Sequence, residues 1–232
     1  MNVALILGLA LLVSGVRSPR DTVKRDFPVA MLVPVVTGVL VVDGALSRMD
    51  GVLLLGLFLS WLAAATMEAR RQRNATNAGT GEGRGWGALA LSASGLLLLA
   101  AAGRFIVGGA TGIAASFGVD EFVIGATIVA LGTSVPELAT AVVSKLRGHD
   151  EVGLGTILGS NIFNGLFVVA VAAIISPIQV DWREVWVALL FGLVTVALTL
   201  PGRGGFIESR RGIALLALYG VYLVAVVQQM AA

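Results

Sequence analysis

Residues 164–176 read NGLFVVAVAAIIS, and residues 2–14 read NVALILGLALLVS. Laid over one another at an offset of 162, both begin on asparagine, run apolar for apolar, and end on serine. Further along, GALSRMDGVLLLGL from Gly44 lies over GFIESRRGIALLAL from Gly205 at an offset of 161. Identities are few in either match. The near-constant offset is what makes residues 2–65 an internal repeat of residues 164–226.

The repeat lies in a chain built for lipid. Of 232 residues, 57% are hydrophobic and 13% charged, and the mean hydropathy is +0.93, where soluble domains carry about 25% charged residues. Eight apolar stretches stand out, roughly 2–16, 27–42, 51–67, 86–103, 121–146, 152–176, 183–200 and 211–229. A helix needs about 20 residues to cross the hydrocarbon, which most of these supply. The first falls short, ending before Arg17. The expected fold is all-α, a polytopic transmembrane helical bundle. The two copies begin five spans apart, an odd number, so they run in opposite directions through the bilayer. Inverted repeats of this kind build secondary transporters, with ion sites at the repeat interface near the midplane.

Charge sets the expected orientation. Counted by alternate loops, Arg17, Arg20, Lys24, Arg25, Arg70, Arg71, Arg73, Arg84, Lys145, Arg147, Arg203, Arg210 and Arg211 fall on one side, against Arg48, Arg104 and Arg183 on the other. The richer side is cytoplasmic by the positive-inside rule, which places the C-terminus outward. A pI near 9.5 therefore reflects arginine in loops and gives no reason to expect nucleic acid. There is no cysteine, so disulfides and thiol chemistry are excluded. Residues 1–16 lack the basic leader of a cleaved signal peptide.

Three regions follow: 1–67 as a first repeat half of three spans, the first partial; 68–85 as a polar, glycine-rich cytoplasmic loop; and 86–232 as a second half of five spans. The second copy is preceded by two spans over about 86–146, and nothing stands before Asn2 to match them. The expectation is a bundle with about eight of ten spans, its N-terminus inside a helix. The Asn74-Ala75-Thr76 sequon faces the cytoplasm on this topology and reads as polar loop.

The chemistry is concentrated in GTSVPE, residues 132–137. Glu137 is the only charged residue between Phe122 and Ser144, and a carboxylate at a helix centre in lipid costs about 2.5–3.5 kcal/mol on insertion scales. Pro136 has no N–H, so the Gly132 carbonyl loses its helical donor. Broken helices are tolerated in membranes where they face protein or a hydrated cavity. Thr133 and Glu137 share a face, and their oxygens with freed carbonyls make a hard-oxygen cluster suited to Na⁺ or Ca²⁺. The plain alternative is a proline kink whose hydroxyls bond back to the helix.

A second cluster, GTILGSNIFN, occupies 155–164. Ser160 and Asn164 are four apart, and Gly155 and Gly159 are spaced for close helix approach. Glycine packing with Ser and Asn as interhelical glue is the plain reading. The preceding GTSVPE helix, joined by the short loop Lys145–Glu151, favours cation ligands.

GTSVPE followed by GSNIFN resembles the second alpha-repeat of the cation/calcium exchanger superfamily, particularly its bacterial sodium/calcium antiporter-like members, where GTSxPE precedes GSNIxN or GSNIxD. DGALSRMDG (43–51) resembles the short loop between two spans of that family's first half. The resemblance covers essentially the whole chain. It implies ten spans, outward termini, and cation ligands from both repeats: here Thr133, Ser134, Glu137, Ser160 and Asn164, with Asn2 matching the asparagine that closes the first-repeat motif. The sequence departs from the pattern in lacking a first-repeat GTSxPE glutamate and the Gly and Ser before Asn2. Thr156 also stands where the family has asparagine. Family members that carry Ca²⁺ use an acid from each repeat, and one carboxylate among neutral oxygens binds a divalent ion weakly.

The function expected is a cation antiporter subunit or fragment in the cell (inner) membrane, exchanging Ca²⁺ for Na⁺ or H⁺ by alternating access. Its partners are the lipid bilayer and the transported cations, with no cofactor and no enzymatic chemistry. A missing N-terminal two-span segment or a second copy would supply the other glutamate. A non-transporting membrane scaffold is the alternative. Ser134 as an intramembrane nucleophile lacks a base, because His149, the only histidine, lies in the loop sequence RGHDE. Asp120 and Glu121 are placed to cap a helix N-terminus. Trp61, Trp86, Trp182 and Trp186 read as interfacial anchors.

Overall fold

The computed structural model describes residues 2–76, 85–118, 130–202 and 204–231. Helix dominates, as it must where lipid offers backbone groups no partner. The chain opens in a π-helical segment, Asn2–Leu7, which runs into α1 (Gly8–Val13). Helices α2 (Arg20–Leu40), α3 (Arg48–Thr76) and α4 (Gly85–Ser116) follow. Next come the short α5 (Ala130–Thr133), α6 (Val135–Leu146) and α7 (Asp150–Ile162). A second π-helical segment, Phe163–Val168, leads into α8 (Val169–Ile175), and α9 (Trp182–Leu198) and α10 (Ser209–Ala231) complete the chain. Among the described residues, Arg48–Arg71, Leu89–Ser116 and Asp150–Ile175 are long and apolar enough to cross a membrane, with shorter apolar helices at Val3–Val13 and Val185–Leu198.

The internal repeat is visible atom by atom. Four two-residue strands, β1 (Val16–Arg17), β2 (Ala45–Leu46), β3 (Ile178–Gln179) and β4 (Phe206–Ile207), form two antiparallel pairs, β1 with β4 and β2 with β3. At the offsets read from sequence, β1 corresponds to β3 and β2 to β4. Each strand thus pairs with the counterpart of the other, as a two-fold axis between the copies requires. The Ser18 N–H donates to the Gly205 carbonyl at 2.8 Å, and the equivalent Val180 N–H donates to Gly44 at 2.9 Å. Gly44 and Gly205 have φ of +88° and +69°, backbone that side chains rarely adopt. The two π-helical segments overlap at the repeat offset, one holding Asn2 and the other Asn164.

Close packing follows the same axis. A Cβ on Gly51 would stand 2.8 Å from the Ala170 carbonyl, and one on the equivalent Gly212 would stand 2.8 Å from the carbonyl of Gly8, the residue equivalent to Ala170. Small residues let these backbones touch, which is how helices associate where apolar burial alone gives no drive. The fully buried side chains include Ile6, Leu11, Phe27, Leu54, Ile157, Leu158 and Leu215. The chain forms two compact units, Met1–Ala65 with Ala141–Ala232, and Thr66–Thr140. In the second unit, α4 packs on α5.

The structure departs from the sequence reading at two boundaries. Helix α3 continues to Thr76, into what composition marks as loop, because Glu68-Ala69-Arg70-Arg71-Gln72-Arg73 are good helix formers. Helix α4 continues past Arg104 to Ser116, so Arg104 lies inside a helix and not in an outward loop. Residues 77–84 of the expected loop, with Asp120 and Glu121, lie outside the described residues.

Candidate ion site

The break expected in GTSVPE is present. Helix α5 ends at Thr133, Ser134 forms a turn, and α6 starts at Val135. Pro136, with no N–H to offer Gly132, sits in the first turn of α6, where its fixed φ is compatible with helix. Gly103 on α4 allows that carbonyl to come close: a Cβ there would lie 2.7 Å from the Gly132 oxygen. The Ser134 carbonyl accepts the Leu138 N–H at 2.9 Å, starting the new helix.

The three candidate ligands of this motif differ in exposure. Ser134 is buried, Glu137 is partly buried, and Thr133 is exposed. Glu137 occupies the first turn of α6, where the helix dipole favours its carboxylate. Thr133 borders a cavity of about 870 Å³ whose walls include Gly103, Arg104, Val107, Gly132 and Pro136. One turn after the motif, Thr140 donates to the Pro136 carbonyl at 2.8 Å.

Ser160, Asn164 and Asn2 belong to the first unit, so each half of the candidate site is described within its own unit. Ser160 is half-buried on α7, and Asn164 is exposed in the π-helical segment that follows. The segment Asn2–Leu7 packs against α7, bringing the Asn2 backbone into the same neighbourhood. The Asn2 side chain lies outside the described residues. Thr156, at the family's asparagine position, gives its hydroxyl to the Val152 carbonyl at 2.8 Å.

Glycine and tryptophan roles need correction. Among the described residues a Cβ on Gly155 would meet nothing within 4 Å, and one on Gly159 would only reach Trp61 at 4.0 Å, so this pair makes no close helix crossing there. The tight approach is at Gly153, where a Cβ would stand 2.7 Å from Ser144 Oγ. Trp61 is no interfacial anchor: its Nε1 donates to the buried Asp26 at 3.0 Å, and Arg25 closes on the same carboxylate at 2.7 and 3.0 Å. Neither π-helical segment was expected. Such segments are rare and favour functional positions.

A helical bundle with an inverted repeat, a helix broken at a glutamate and asparagines in paired π-helical segments defines an ion-transporter class. The chain matches the sodium/calcium exchanger protein family over residues 1–67 and 87–228, and it belongs to that family. It is 36% identical over 222 residues to the inner membrane protein YrbG of Escherichia coli K12, a match covering 88% of this chain and 68% of YrbG. It is 35% identical over 187 residues to the putative antiporter CaxA of Alkalimonas amylolytica, covering 78% and 59%. The solved sodium–calcium exchanger NCX_Mj, soaked with Na⁺ and Sr²⁺, superposes with a TM-score of 0.75 at 28% identity, covering 96% of this chain and 72% of NCX_Mj.

Proposed function

We propose that this chain is a cation antiporter subunit that exchanges Ca²⁺ for Na⁺ or H⁺ by alternating access, working as a transporter and not as an enzyme. The observation that carries the reading is the helix break at Ser134 that leaves Glu137 in the first turn of α6. Thr133, Ser134 and Glu137 would contribute one half of the ion's oxygen shell, and Ser160, Asn164 and Asn2 the other. The three-region division, 1–67, 68–85 and 86–232, and the outward C-terminus belong to the same proposal. Among the described residues no group of three His, Cys, Asp or Glu gathers around one point. One carboxylate with neutral oxygens suits Na⁺ better than Ca²⁺. A second carboxylate would come from a two-span segment supplied separately or from a second copy.

The test is ⁴⁵Ca²⁺ uptake into everted vesicles holding this chain, with and without an imposed Na⁺ or H⁺ gradient. Gradient-driven uptake abolished in Glu137→Gln is the expected result. Uptake that Glu137→Gln leaves unchanged would sink the ligand assignment. Absence of uptake both alone and with an added two-span GTSxPE segment would favour a non-transporting scaffold.

A further inference from the structure

The first unit contains a cavity of about 230 Å³ that the exchange reading does not use. It is bounded by Val3 and Ala4 of the first π-helical segment, Asn161 of α7, Phe191 and Thr195 of α9, and Tyr219 and Tyr222 of α10. Asn161 directly follows the candidate ligand Ser160 on α7. Thr195 is only 6% exposed. The Asn161 carboxamide and the Thr195, Tyr219 and Tyr222 hydroxyls are the side-chain polar groups of its lining. A polar group taken from water without a partner costs about 1–3 kcal/mol, and lipid supplies no remedy. A polar occupant suits this lining.

The repeat shows what a closed version of the same place looks like. At the repeat offsets, Ala188, Thr195, Tyr219 and Tyr222 correspond to Asp26, Val33, Phe58 and Trp61. There the space is filled: Asp26 accepts from Trp61 Nε1, Phe58 packs on Trp61, Phe163 and Phe167, and Val33 crowds Gly165. In the other copy the carboxylate is replaced by Ala188, which makes room, and three apolar or N–H-donating groups are replaced by hydroxyls, which offer oxygen. Phe191, Tyr219 and Tyr222 also gather their rings, with centroids 5.5 Å apart for Phe191 and Tyr222 and 6.5 Å for the two tyrosines.

We propose that this cavity binds a monovalent alkali cation, Na⁺ or K⁺. Neutral hydroxyl and carboxamide oxygens replace part of its hydration shell, and aromatic faces add cation–π attraction. Among the described residues no charged side chain lines the cavity, which disfavours divalent ions, whose affinity follows ligand charge. The site lies wholly within the first unit and stands independently of Glu137.

The test is the thermal unfolding midpoint of the purified full chain in choline chloride, with Na⁺ or K⁺ substituted at constant ionic strength. A ligand that binds only the folded state raises the midpoint. The expected result is a rise in the wild-type chain that persists in Glu137→Gln and falls by at least half in Thr195→Val and in Tyr222→Phe. Tyr222→Phe keeps the ring and removes one oxygen, so it serves if Thr195→Val folds poorly. No rise with either ion would overturn the proposal and leave water as the occupant. A rise that needs Glu137, or one kept in both cavity variants, would overturn it equally.

Discussion

Two places related by the internal two-fold have been built to opposite ends. Around Asp26, Phe58 and Trp61 the space between helices is packed and its one carboxylate is matched by Trp61 and Arg25. Around Ala188, Thr195, Tyr219 and Tyr222 the same backbone frame encloses a polar cavity. The frame does not differ, since the strands pair with exchanged counterparts and Gly51 and Gly212 make equivalent backbone contacts. The difference lies in a few side chains. Duplication therefore fixes where helices go, while substitution on that frame decides which half is packed and which keeps a cavity.

The largest effect should come from opening the sealed half. Phe58 is 6% exposed and has three aromatic neighbours with centroids between 5.1 and 5.9 Å. Phe58→Ala should cost about 3–5 kcal/mol, as burial loss and cavity formation add. The equivalent Tyr219→Ala borders space already present and should cost less than half as much. Thermal unfolding of the two variants side by side makes the check, and equal losses would break the comparison.

Removing the carboxylate comes next. Asp26→Ala strands the Trp61 N–H and takes the Asp26 carboxylate from Arg25, and breaking a buried pair costs about 3–5 kcal/mol. Arg25 keeps 28% of its side-chain exposure, so the loss should fall to about 2–3 kcal/mol. Asp26→Asn, which keeps an oxygen for Trp61, should recover about half of that difference. Indole fluorescence in a background with Trp86, Trp182 and Trp186 replaced by phenylalanine would follow Trp61, with Asp26→Ala shifting its emission and Asp26→Asn leaving it closer to the parent.

Gly51→Ala and Gly212→Ala probe the frame. Each Cβ meets a backbone carbonyl at 2.8 Å, which cannot rotate away, so each should destabilise by about 1–3 kcal/mol through overpacking. Their losses should agree with one another more closely than those of Phe58 and Tyr219. A large loss in one and none in the other would mean that the two-fold packing is not energetically equivalent.

Much of this was legible in sequence, and what was not has identifiable causes. The offset of 162 residues carried β1 onto β3 because a repeat preserves loop lengths even when identities fade. Pro136 with Gly132 announced the break in GTSVPE, whereas Pro28 and Pro34 lie inside α2 without ending it. The π-helical segments were hidden because six residues are too few for apolar periodicity to separate a π from an α turn. Trp61 misled because indole at a span end and indole hydrogen-bonded to a carboxylate 35 residues away look alike in one dimension. The cavity was invisible for the same reason: Asn161, Thr195, Tyr219 and Tyr222 lie on three helices, and no local pattern links them.

The smallest prediction bears on what a glycine says. Gly153 and Gly155 sit two apart on α7 and look interchangeable as packing residues. A Cβ on Gly153 would lie 2.7 Å from Ser144 Oγ and 3.3 Å from Ala141 Cα, whereas one on Gly155 would meet open space. Gly155→Ala should then gain helix propensity at no steric cost, raising stability by up to about 1 kcal/mol. Gly153→Ala should lower it, because the Ala141 backbone cannot yield even if Ser144 turns aside. The unfolding midpoints should move in opposite directions. If Gly155→Ala also lowered the midpoint, the glycine would be meeting a surface that the chain's own described residues do not supply, and the open face of α7 would belong to an interface.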